Sequence, residues 1–278
     1  MLMQLGDEAK LLAGGQSLIP LMKLRFANPA HLVDLNFIPE TSYIREEGKL
    51  LRFGPLTRHA EIEASDVVAR IPILHDCAAG IADVQVRNRG TIGGSLAEAD
   101  PSGDWAVALM TLSTEVNCLG SAGERVVALG DFIKDAYTTA LAHDELVNEV
   151  RVKIPPKGSG GAYLAFKRAA PVYPTASVAV QLIMEGDFCR DASIALGCVG
   201  LTPIKVKAAE TALRGRAITA KTVATAADAA RAAADPQSDM RGSADYKRAL
   251  VAALLQRAIW IAARRARGEQ VESSHLYA

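Results

Sequence analysis

Two segments of the sequence place a glycine pair close to a hydroxyl side chain: Gly14-Gly15-Gln16-Ser17 and Gly93-Gly94-Ser95. A diphosphate needs several hydrogen-bond donors at close range, and glycine lets backbone N–H groups approach because no Cβ atom is in the way. Either pair alone is typical of an ordinary tight turn. Because both lie in the N-terminal half of the chain, we expect them to hold one diphosphate from two sides, as in a nucleotide-cofactor site.

Neither glycine segment has the spacing of the familiar nucleotide-binding loops. Both lack the dinucleotide fingerprint G-x-G-x-x-G, and neither ends in the Gly-Lys-Ser/Thr of a P-loop. The sequence therefore argues against a Rossmann domain and against a kinase. Arg87 and Arg89 precede the second pair, where they could neutralise a diphosphate, face a partner subunit or belong to a solvated loop.

Acidic residues follow the second glycine pair at Glu98, Asp100 and Asp104. Two neighbouring carboxylates could act as a general acid and a general base. Acids ahead of a helix are also favoured as N-caps and by the helix dipole. We expect Asp100 to cap the helix that starts near Trp105, and Asp104 to cap this helix and also to touch a cofactor.

The histidines and cysteines give no sign of a metal centre. No His-x-x-x-His or His-x-Glu spacing occurs, so we expect no bound metal and a surface or packing role for His59 and His75. The four cysteines lack the spacing of a zinc knuckle or an iron–sulfur loop, which favours reduced thiols in a cytoplasmic protein. The Gly-x-Ser-x-Gly elbow that would carry a serine for nucleophilic catalysis is absent from the sequence as well. The sequence thus predicts no catalytic side chain in this polypeptide.

The composition is that of a folded protein with about two domains. The 278 residues carry 31 Lys plus Arg and 31 Asp plus Glu, and 50% are hydrophobic. This balance excludes disorder and argues against a nucleic-acid partner, which requires a basic surplus. The most apolar stretch, 249–263, is broken by Gln256 and Arg257, so we expect no transmembrane segment. Residues 1–10 lack the pattern of a secretory signal.

Hydrophobic periodicity predicts a mixture of strands and helices on both sides of a linker. The linker is expected at 155–161, where Pro and Gly are concentrated. Before it we expect strands at 11–13, 31–35, 114–119 and 145–154, a hairpin at 43–53, and helices at 17–24, 58–64, 73–83 and 105–112. After it we expect an antiparallel meander of strands at 162–167, 175–184 and 191–199.

The C-terminal part is expected to end in helices. The alanine-rich stretch 208–234 predicts two helices, because Gly215 interrupts it. A last helix is expected after an N-cap at Ser243, and burial is expected for Trp105 and Trp260. One face of the last helix would carry Tyr246, Leu250, Leu254, Ala258 and Ile261.

Several motifs together resemble one family. The motifs are Leu12-Ala13-Gly14-Gly15-Gln16-Ser17-Leu18, His31-Leu32-Val33-Asp34-Leu35, Gly90-Thr91-Ile92-Gly93-Gly94-Ser95-Leu96-Ala97, Ala99-Asp100-Pro101-Ser102-Gly103-Asp104, Phe166-Lys167-Arg168 and Gly242-Ser243-Ala244-Asp245-Tyr246-Lys247. They look like the FAD-binding medium subunits of molybdenum hydroxylases, the group that includes carbon monoxide dehydrogenase and xanthine dehydrogenase. The resemblance covers almost the whole chain.

This resemblance implies an α+β flavoprotein with two domains. Residues 1–155 would form a vanillyl-alcohol-oxidase-type (PCMH-type) FAD-binding domain, and residues 161–278 a C-terminal domain with a three-stranded antiparallel sheet and helices. The FAD diphosphate would lie between the two glycine segments. Its implied ligands, through backbone amides and hydroxyls, are Ala13, Gly14, Gly15, Gln16, Ser17, Thr91, Ile92, Gly93, Gly94 and Ser95.

The resemblance also assigns residues to the rest of the cofactor. Asp104 would meet the ribityl chain, and Leu146 and Val147 would lie beside the isoalloxazine ring. Tyr173 would lie at the flavin ring, and Lys167 would stabilise the reduced flavin at its pyrimidine edge by Coulomb attraction. A lysine expected in some relatives is replaced by Ala165 here.

The implied activity is electron transfer within a larger cytoplasmic complex. Substrate would be oxidised at a molybdopterin cofactor in a large partner subunit, and electrons would pass through two [2Fe-2S] clusters in a small partner to FAD in this chain, then to an external acceptor. The complex would be a heterohexamer, a dimer of heterotrimers. Two alternatives stay open: a flavin-free assembly or scaffold homologue, and a self-contained flavin oxidase.

Family chains usually begin about a strand and a helix earlier, so the resemblance also implies a shortened N-terminus and weaker FAD binding.

Overall fold

The structure, a computed structural model, describes residues 2–169 and 172–272. The N-terminal half contains a short 3₁₀ turn, Gly6–Glu8, and the following elements: α1 (Leu2–Leu5), β1 (Ala9–Leu12), α2 (Leu18–Lys23), β2 (His31–Asp34), β3 (Ile44–Glu47), β4 (Leu50–Phe53), α3 (His59–Glu63), α4 (Asp66–Ala69), α5 (Pro72–Gly80), α6 (Val84–Arg87), α7 (Ile92–Glu98), α8 (Asp104–Met110), β5 (Thr114–Gly120), β6 (Gly123–Ala128), α9 (Leu129–Phe132), β7 (Ile133–Asp135), β8 (Thr138–Thr139) and β9 (Leu146–Lys153).

The C-terminal half follows without a long connection. Its elements are β10 (Ser159–Phe166), β11 (Ala176–Glu185), β12 (Phe188–Gly197), β13 (Ile204–Lys205), α10 (Lys207–Leu213), β14 (Arg216–Ala217), α11 (Ala220–Ala233) and α12 (Ala244–Ala266). The α+β fold class expected from the sequence is confirmed. The three strands of the expected meander are confirmed as well, as β10, β11 and β12 in antiparallel order.

A small parallel sheet carries the first glycine segment. β1 pairs with β2 in parallel, from Ala9 beside His31 to Leu12 beside Asp34, and the amide of Leu35 extends the pairing by donating to the Leu12 carbonyl at 3.0 Å. Parallel strands need a crossover between them, and α2 lies within that connection. Both strands therefore end at the same edge, and the first glycine segment starts at this edge.

A larger antiparallel sheet forms the core of the N-terminal half. Its strand order is β3-β4-β9-β5-β6, and the hairpin expected at 43–53 is confirmed, with its turn at Gly48 in the left-handed conformation (φ +62°). Phe53, Val116 and Val150 from three of these strands are fully buried with Trp105 of α8. Burial of Trp105 is thus confirmed.

The C-terminal sheet is covered by three helices. The alanine-rich stretch forms two helices, α10 and α11, as expected, with Gly215 (φ +73°) between them. α12 packs across β10 and β11 and against α11. Ser243 caps α12 as expected, because its hydroxyl accepts the amide of Tyr246 at 3.2 Å.

The buried face of α12 differs from the predicted one. The expected face ran through Tyr246, Leu250, Leu254, Ala258 and Ile261, but the buried residues are Lys247, Val251, Leu255, Ala258, Ile259, Ala262 and Ala263. Small residues decide this rotation, because a Cβ atom at Gly160 of β10 would lie 2.1 Å from the Ala262 carbonyl oxygen. Tyr246 and Trp260 are consequently 44% and 40% exposed. The prediction that Trp260 is buried was wrong.

The linker is shorter than the sequence indicated. Ser159, Gly160 and Gly161 belong to β10, so residues 154–158 connect the two halves. The glycines are needed within the strand, since a Cβ atom at Gly161 would lie 2.3 Å from Gln181 Oε1 and 2.9 Å from Ile73 Cβ. The domain limits 1–155 and 161–278 remain a prediction. Across residues 2–169 and 172–272, no helix is both long and apolar enough to cross a membrane.

Candidate functional site

The first glycine segment presents a run of unused backbone donors. Gly15 takes the left-handed conformation (φ +72°) and turns the chain between β1 and α2. Within the described residues, none of the amides of Gly14, Gly15, Gln16 and Ser17 donates a hydrogen bond to the protein. Successive free N–H groups around a left-handed residue form an anion-binding concavity. The segment can therefore hold a phosphate group by backbone donors alone.

The second glycine segment is built differently, because it forms the first turn of α7. Four of its amides have an acceptor inside the chain: Ile92 donates to Thr57 O (3.1 Å), Gly93 to Pro55 O (3.1 Å), Gly94 to Thr91 Oγ1 (3.0 Å) and Ser95 to Thr91 O (3.0 Å). The amides from Ile92 to Ser95 are therefore already used within the chain, whereas the amide of Thr91 has no acceptor among the described residues. The half-buried Ser95 hydroxyl makes no hydrogen bond with the described residues, and the hydroxyl of Thr91 donates none to them either. Diphosphate binding by this segment, which the resemblance implied, stays a prediction.

The two glycine segments lie against each other. A Cβ atom at Gly14 would be 2.2 Å from the carbonyl oxygen of Arg89 and 2.8 Å from Cα of Gly90. A Cβ atom at Gly94 would be 3.6 Å from Cβ of Ala13. The structure thus brings together two segments that are far apart in sequence, and glycine is required at position 14 for the contact.

Two polar side chains connect the segments, and the sequence analysis did not single them out. Asn36, just after β2, donates from Nδ2 to the Ala13 carbonyl at 2.9 Å. Arg58 donates one guanidinium nitrogen to Asn36 Oδ1 and the other to the carbonyl oxygen of Arg89. No motif marks this pair, since its partners are backbone carbonyls of other elements. The backbone of Arg58 also forms an antiparallel bridge with Thr91.

Asp104 is the first residue of α8 and is buried. The Tyr163 hydroxyl donates to its Oδ1 at 2.7 Å. Burial raises the pKa of Asp104, while the charge of Lys167 acts in the opposite direction. The capping expectations were wrong, because the N-cap of α8 is Gly103 and no side chain caps it. Asp100 instead accepts the Ser102 amide at 2.8 Å.

Lys167, which follows β10, is buried next to the C-terminal end of α5. Its ammonium donates to the carbonyl of Gly80, the last residue of that helix, where a cation is favoured by the helix dipole. The same charge acts on Asp104 and on the Cys77 thiol, whose pKa is raised well above its usual value chiefly by burial. The positive charge of Lys167 therefore acts on Asp104, and one of its donors is already used by Gly80.

Tyr173 belongs to a polar cluster between the two halves. The residue is 45% exposed, and the Arg241 guanidinium carbon lies 5.8 Å from its ring centroid. Burial raises the pKa of Tyr173, and the charge and hydrogen bond of Asp100 raise it further. Asp100 acts in the same way on Tyr137, and Arg241 donates to the Ser102 hydroxyl at 3.0 Å. The charge of Asp100 thus acts on both tyrosines, a role that reasoning from helix caps did not reveal.

Leu146 and Val147 begin β9, which packs against α7. Val147 is buried and belongs to the core around Trp105, whereas Leu146 is half-buried. Successive strand residues point to opposite faces, so only one side chain of the pair can face a ligand. The partly exposed Leu146 is the one that the structure leaves accessible.

His59 is a packing residue, as expected. Its Nδ1 accepts the Trp105 indole N–H at 3.0 Å, so the ring is neutral with its proton on Nε2. Burial lowers the pKa of His59 to about 3, with smaller contributions from Arg58 and Arg87. Arg87 itself pairs with Glu63 at 2.8 Å. Among the described residues, no group of three His, Cys, Asp or Glu side chains could hold a metal ion.

Comparison with known proteins gives matches along nearly the whole chain. Residues 1–156 match the family model described as the FAD binding domain in molybdopterin dehydrogenase, and residues 161–262 match the CO dehydrogenase flavoprotein C-terminal domain. The carbon monoxide dehydrogenase medium chain of Hydrogenophaga pseudoflava is 42% identical over 92% of this chain and 90% of its own length. The glyceraldehyde dehydrogenase medium chain of Sulfolobus acidocaldarius is 34% identical over 91% and 90%.

Solved structures give the same result for the fold. Carbon monoxide dehydrogenase from Hydrogenophaga pseudoflava matches with a TM-score of 0.92 and 43% identity over 95% of this chain and 92% of the matched chain. Quinoline 2-oxidoreductase from Pseudomonas putida matches with a TM-score of 0.90 and 36% identity over 95% and 93%. The unused amides after β1, the contact between the glycine segments and these similarities agree: the chain belongs to the family of FAD-binding medium subunits of molybdenum hydroxylases.

Proposed function

We propose that this chain binds the FAD diphosphate on the first glycine segment and relays electrons from the [2Fe-2S] clusters of a small partner subunit to an external acceptor. The observation that carries the proposal is the run of four amides from Gly14 to Ser17 that have no acceptor among residues 2–169 and 172–272 and that pack against the turn before α7. These donors are fixed by the fold, so they need no rearrangement to meet an anion. The second segment packs closely against the first and contributes the Ser95 hydroxyl together with the amide and hydroxyl of Thr91.

The remaining assigned residues surround the rest of the cofactor in this proposal. Asp104, oriented by Tyr163, accepts a ribityl hydroxyl, and Leu146 and Tyr173 contact the ring. Lys167, whose charge acts on Asp104, supplies positive charge to the reduced flavin. Bound FAD supplies the redox chemistry, because it can exchange electrons singly and in pairs. The side chains bind and orient it, and none of them needs to act as an acid or base on a substrate.

We propose that the complex containing this chain oxidises carbon monoxide at the molybdopterin of its large subunit. Support comes from identities of 42% and 40% to the carbon monoxide dehydrogenase medium chains of Hydrogenophaga pseudoflava and Afipia carboxidovorans, against 34% to the glyceraldehyde dehydrogenase medium chain. We further propose a cytoplasmic dimer of heterotrimers, and domain limits at 1–155 and 161–278.

A titration of the full chain tests cofactor binding. FAD and riboflavin are added separately to the purified chain, and binding is followed by flavin fluorescence and visible absorbance. Because riboflavin lacks the diphosphate, we expect FAD to bind at least about a hundredfold more tightly, as several charge-assisted hydrogen bonds are lost with riboflavin. Equal affinities would contradict the diphosphate site. Absence of FAD binding would support the flavin-free scaffold instead.

The relay is tested in the assembled complex. The chain is purified with its small and large partner subunits, carbon monoxide is added, and reduction of an artificial acceptor is measured with and without FAD. We expect acceptor reduction to require FAD, while the iron–sulfur absorbance still changes in the FAD-depleted complex. An unchanged acceptor rate after FAD removal would contradict the relay, and reduction by an aldehyde but not by carbon monoxide would contradict the proposed substrate.

A further inference from the structure

Arg58 occupies the junction of three elements near the glycine segments. It precedes α3 in an extended conformation and bridges to Thr91. The amide of His59 donates to the Gly90 carbonyl at 3.1 Å, which anchors the backbone at this place. The guanidinium is therefore carried by a fixed main chain and lies between the end of β2 and the turn before α7.

The guanidinium links the two glycine segments through neutral acceptors. Arg58 donates to the Arg89 carbonyl and to Asn36 Oδ1, and Asn36 donates to the Ala13 carbonyl at 2.9 Å. Asp34 Oδ1 in turn accepts the Asn36 backbone amide at 2.9 Å and the Asn36 Nδ2 group at 2.6 Å, and the second bond holds the side chain in place. A continuous chain of hydrogen bonds thus runs from one segment to the other.

These hydrogen bonds orient the amide of Gly14 and also join the two glycine segments. A trans peptide places its C=O and the next N–H in opposite directions. Since Asn36 fixes the carbonyl of Ala13, the N–H of Gly14 points away from Asn36, and Gly14 N–H is the first of the unused donors. The planar fork of arginine suits simultaneous donation in two directions, which a lysine ammonium cannot reproduce with the same geometry.

The charges around Arg58 are consistent with a nearby anion. Within the described residues, no carboxylate lies within ion-pair distance of the Arg58 or Arg89 guanidinium. Burial lowers the pKa of Arg58, and the charge of Arg89 lowers it further, whereas Glu61 and Asp34 act in the opposite direction. The Arg58 guanidinium, which lies between the two segments, therefore carries a positive charge that an anion bound at the glycine segments would stabilise.

We propose that Arg58 is a positioning residue of the FAD site: acting through Asn36, it holds the first glycine segment against the second and fixes the direction of the donors that receive the diphosphate. The inference rests on the proposed FAD function. It adds that the geometry of the guanidinium, and not its charge alone, sets the affinity.

Affinity measurements on four variants of the full chain test this role. FAD dissociation constants are determined for Arg58→Lys, Arg58→Ala, Asn36→Ala and the double variant Arg58→Ala/Asn36→Ala. We expect each single variant to bind FAD about tenfold or more weakly, from loss of hydrogen bonds with a charged partner. The double variant should add little, since both changes break the same chain of contacts. Arg70→Ala is the matched control, because its exposed pair with Glu46 lies elsewhere, and it should bind as wild type does.

A second readout does not depend on FAD. Hydrogen exchange of the FAD-free chain is followed at the amides of Leu35 and His59, which flank the linked contacts, and thermal melts check that each variant is folded. We expect about tenfold faster exchange at both amides in Arg58→Lys, because local opening becomes easier. Wild-type affinity or wild-type exchange in Arg58→Lys would overturn the positioning role. If wild type itself fails to bind FAD, the proposed function fails, whereas the exchange data still decide whether Arg58 joins the segments.

Discussion

The hydroxyl of Tyr163 donates to Asp104 Oδ1 at 2.7 Å, and both residues are buried. Tyr163 belongs to the first strand of the C-terminal sheet, whereas Asp104 begins a helix of the N-terminal half. The amide of Tyr163 also donates to Asp76 Oδ2 at 3.2 Å, so a single residue of β10 contacts acids on two helices. The halves of the chain are thus joined by buried polar contacts in addition to apolar packing.

Replacing Tyr163 by Phe should destabilise the protein and leave the fold intact. Asp104 would lose its hydroxyl donor while staying buried, and an unsatisfied buried acceptor costs about 1–3 kcal/mol. Urea unfolding of the full chain measures the change in the free energy of unfolding. Tyr246→Phe is the matched control, because the Tyr246 hydroxyl makes no hydrogen bond with the described residues. Equal losses in the two variants would contradict the role of the Tyr163 contact.

The buried carboxyl of Asp104 should make stability depend on pH in a defined direction. Burial raises its pKa in the folded state above the ordinary 3.8. The contribution of this group is therefore fully present below pH 3.8 and is lost as the pH rises through the raised folded value. The Asp104→Asn variant lacks this titration. The difference obtained by subtracting the free energy of unfolding of wild type from that of the variant should therefore increase as the pH rises from 3.8 through the folded pKa. Asp245→Asn, at an exposed carboxylate, is the control, and a difference that stays constant with pH would refute the assignment.

His59 should give the opposite pH dependence. Its pKa is about 3 in the folded chain against an ordinary 6.5, so the unfolded state binds one more proton between these values. Stability contributed by neutral His59 is present above pH 6.5 and is lost as the pH falls, by about 1.4 kcal/mol per unit. We expect His59→Gln to show a shallower slope between pH 6.5 and 5 in unfolding experiments, with His31→Gln as the control for removing an exposed imidazole. An unchanged slope would show that His59 does not titrate in this way.

Much of the fold could be predicted from local pattern, because hydrophobic alternation and glycine turns are encoded within each element. The strands of the C-terminal meander and the break at Gly215 are examples. The face of α12 could not be predicted, since it depends on the close approach of Ala262 to Gly160, two residues in different elements. The extent of the linker failed for the same reason: Gly160 and Gly161 serve packing within β10 and not flexibility.

The site shows the same division between local and non-local information. Both glycine segments were found by residue type, and the structure places them in contact. Which segment keeps free amides could not be read from sequence, because the acceptors of the second segment include Thr57 and Pro55 in a distant loop. Arg58 and Asn36 were missed, since a side chain that binds main-chain carbonyls leaves no motif. A search for polar residues after each strand end would have found Asn36.

Breaking the buried ion pair between the halves should be costly. Arg265 NH1 lies 2.6 Å from Asp76 Oδ2, with both side chains largely buried, and removing one partner of such a pair typically costs about 3–5 kcal/mol. Arg265→Met should therefore lower the free energy of unfolding by about that amount in urea titrations. Arg264→Met is a neighbouring control, because its exposed pair with Glu269 contributes at most about 1 kcal/mol. Similar losses in both variants would contradict a special role for the buried pair.

Gly14→Ala should separate the two glycine segments. The new Cβ atom would be 2.2 Å from the Arg89 carbonyl oxygen, and because the contact is with backbone, relief requires the chain to move. Overpacking of this kind costs about 1–3 kcal/mol, and displacement of the donors should weaken FAD binding about tenfold or more, since hydrogen bonds with a charged group are lost. Both effects are measured on the full chain, by urea unfolding and by FAD titration.

Gly130→Ala provides the control for this last prediction, because the nearest atom to its Cβ position is Met110 Sδ at 3.8 Å, an ordinary contact distance. It should leave FAD affinity at the wild-type value. The two measurements on Gly14→Ala separate two possibilities. A loss of stability with unchanged FAD affinity would mean that the diphosphate does not depend on the contact between the segments. Loss of affinity in a chain that remains folded would place the diphosphate at this contact, because the substitution adds only one methyl group and changes no charge.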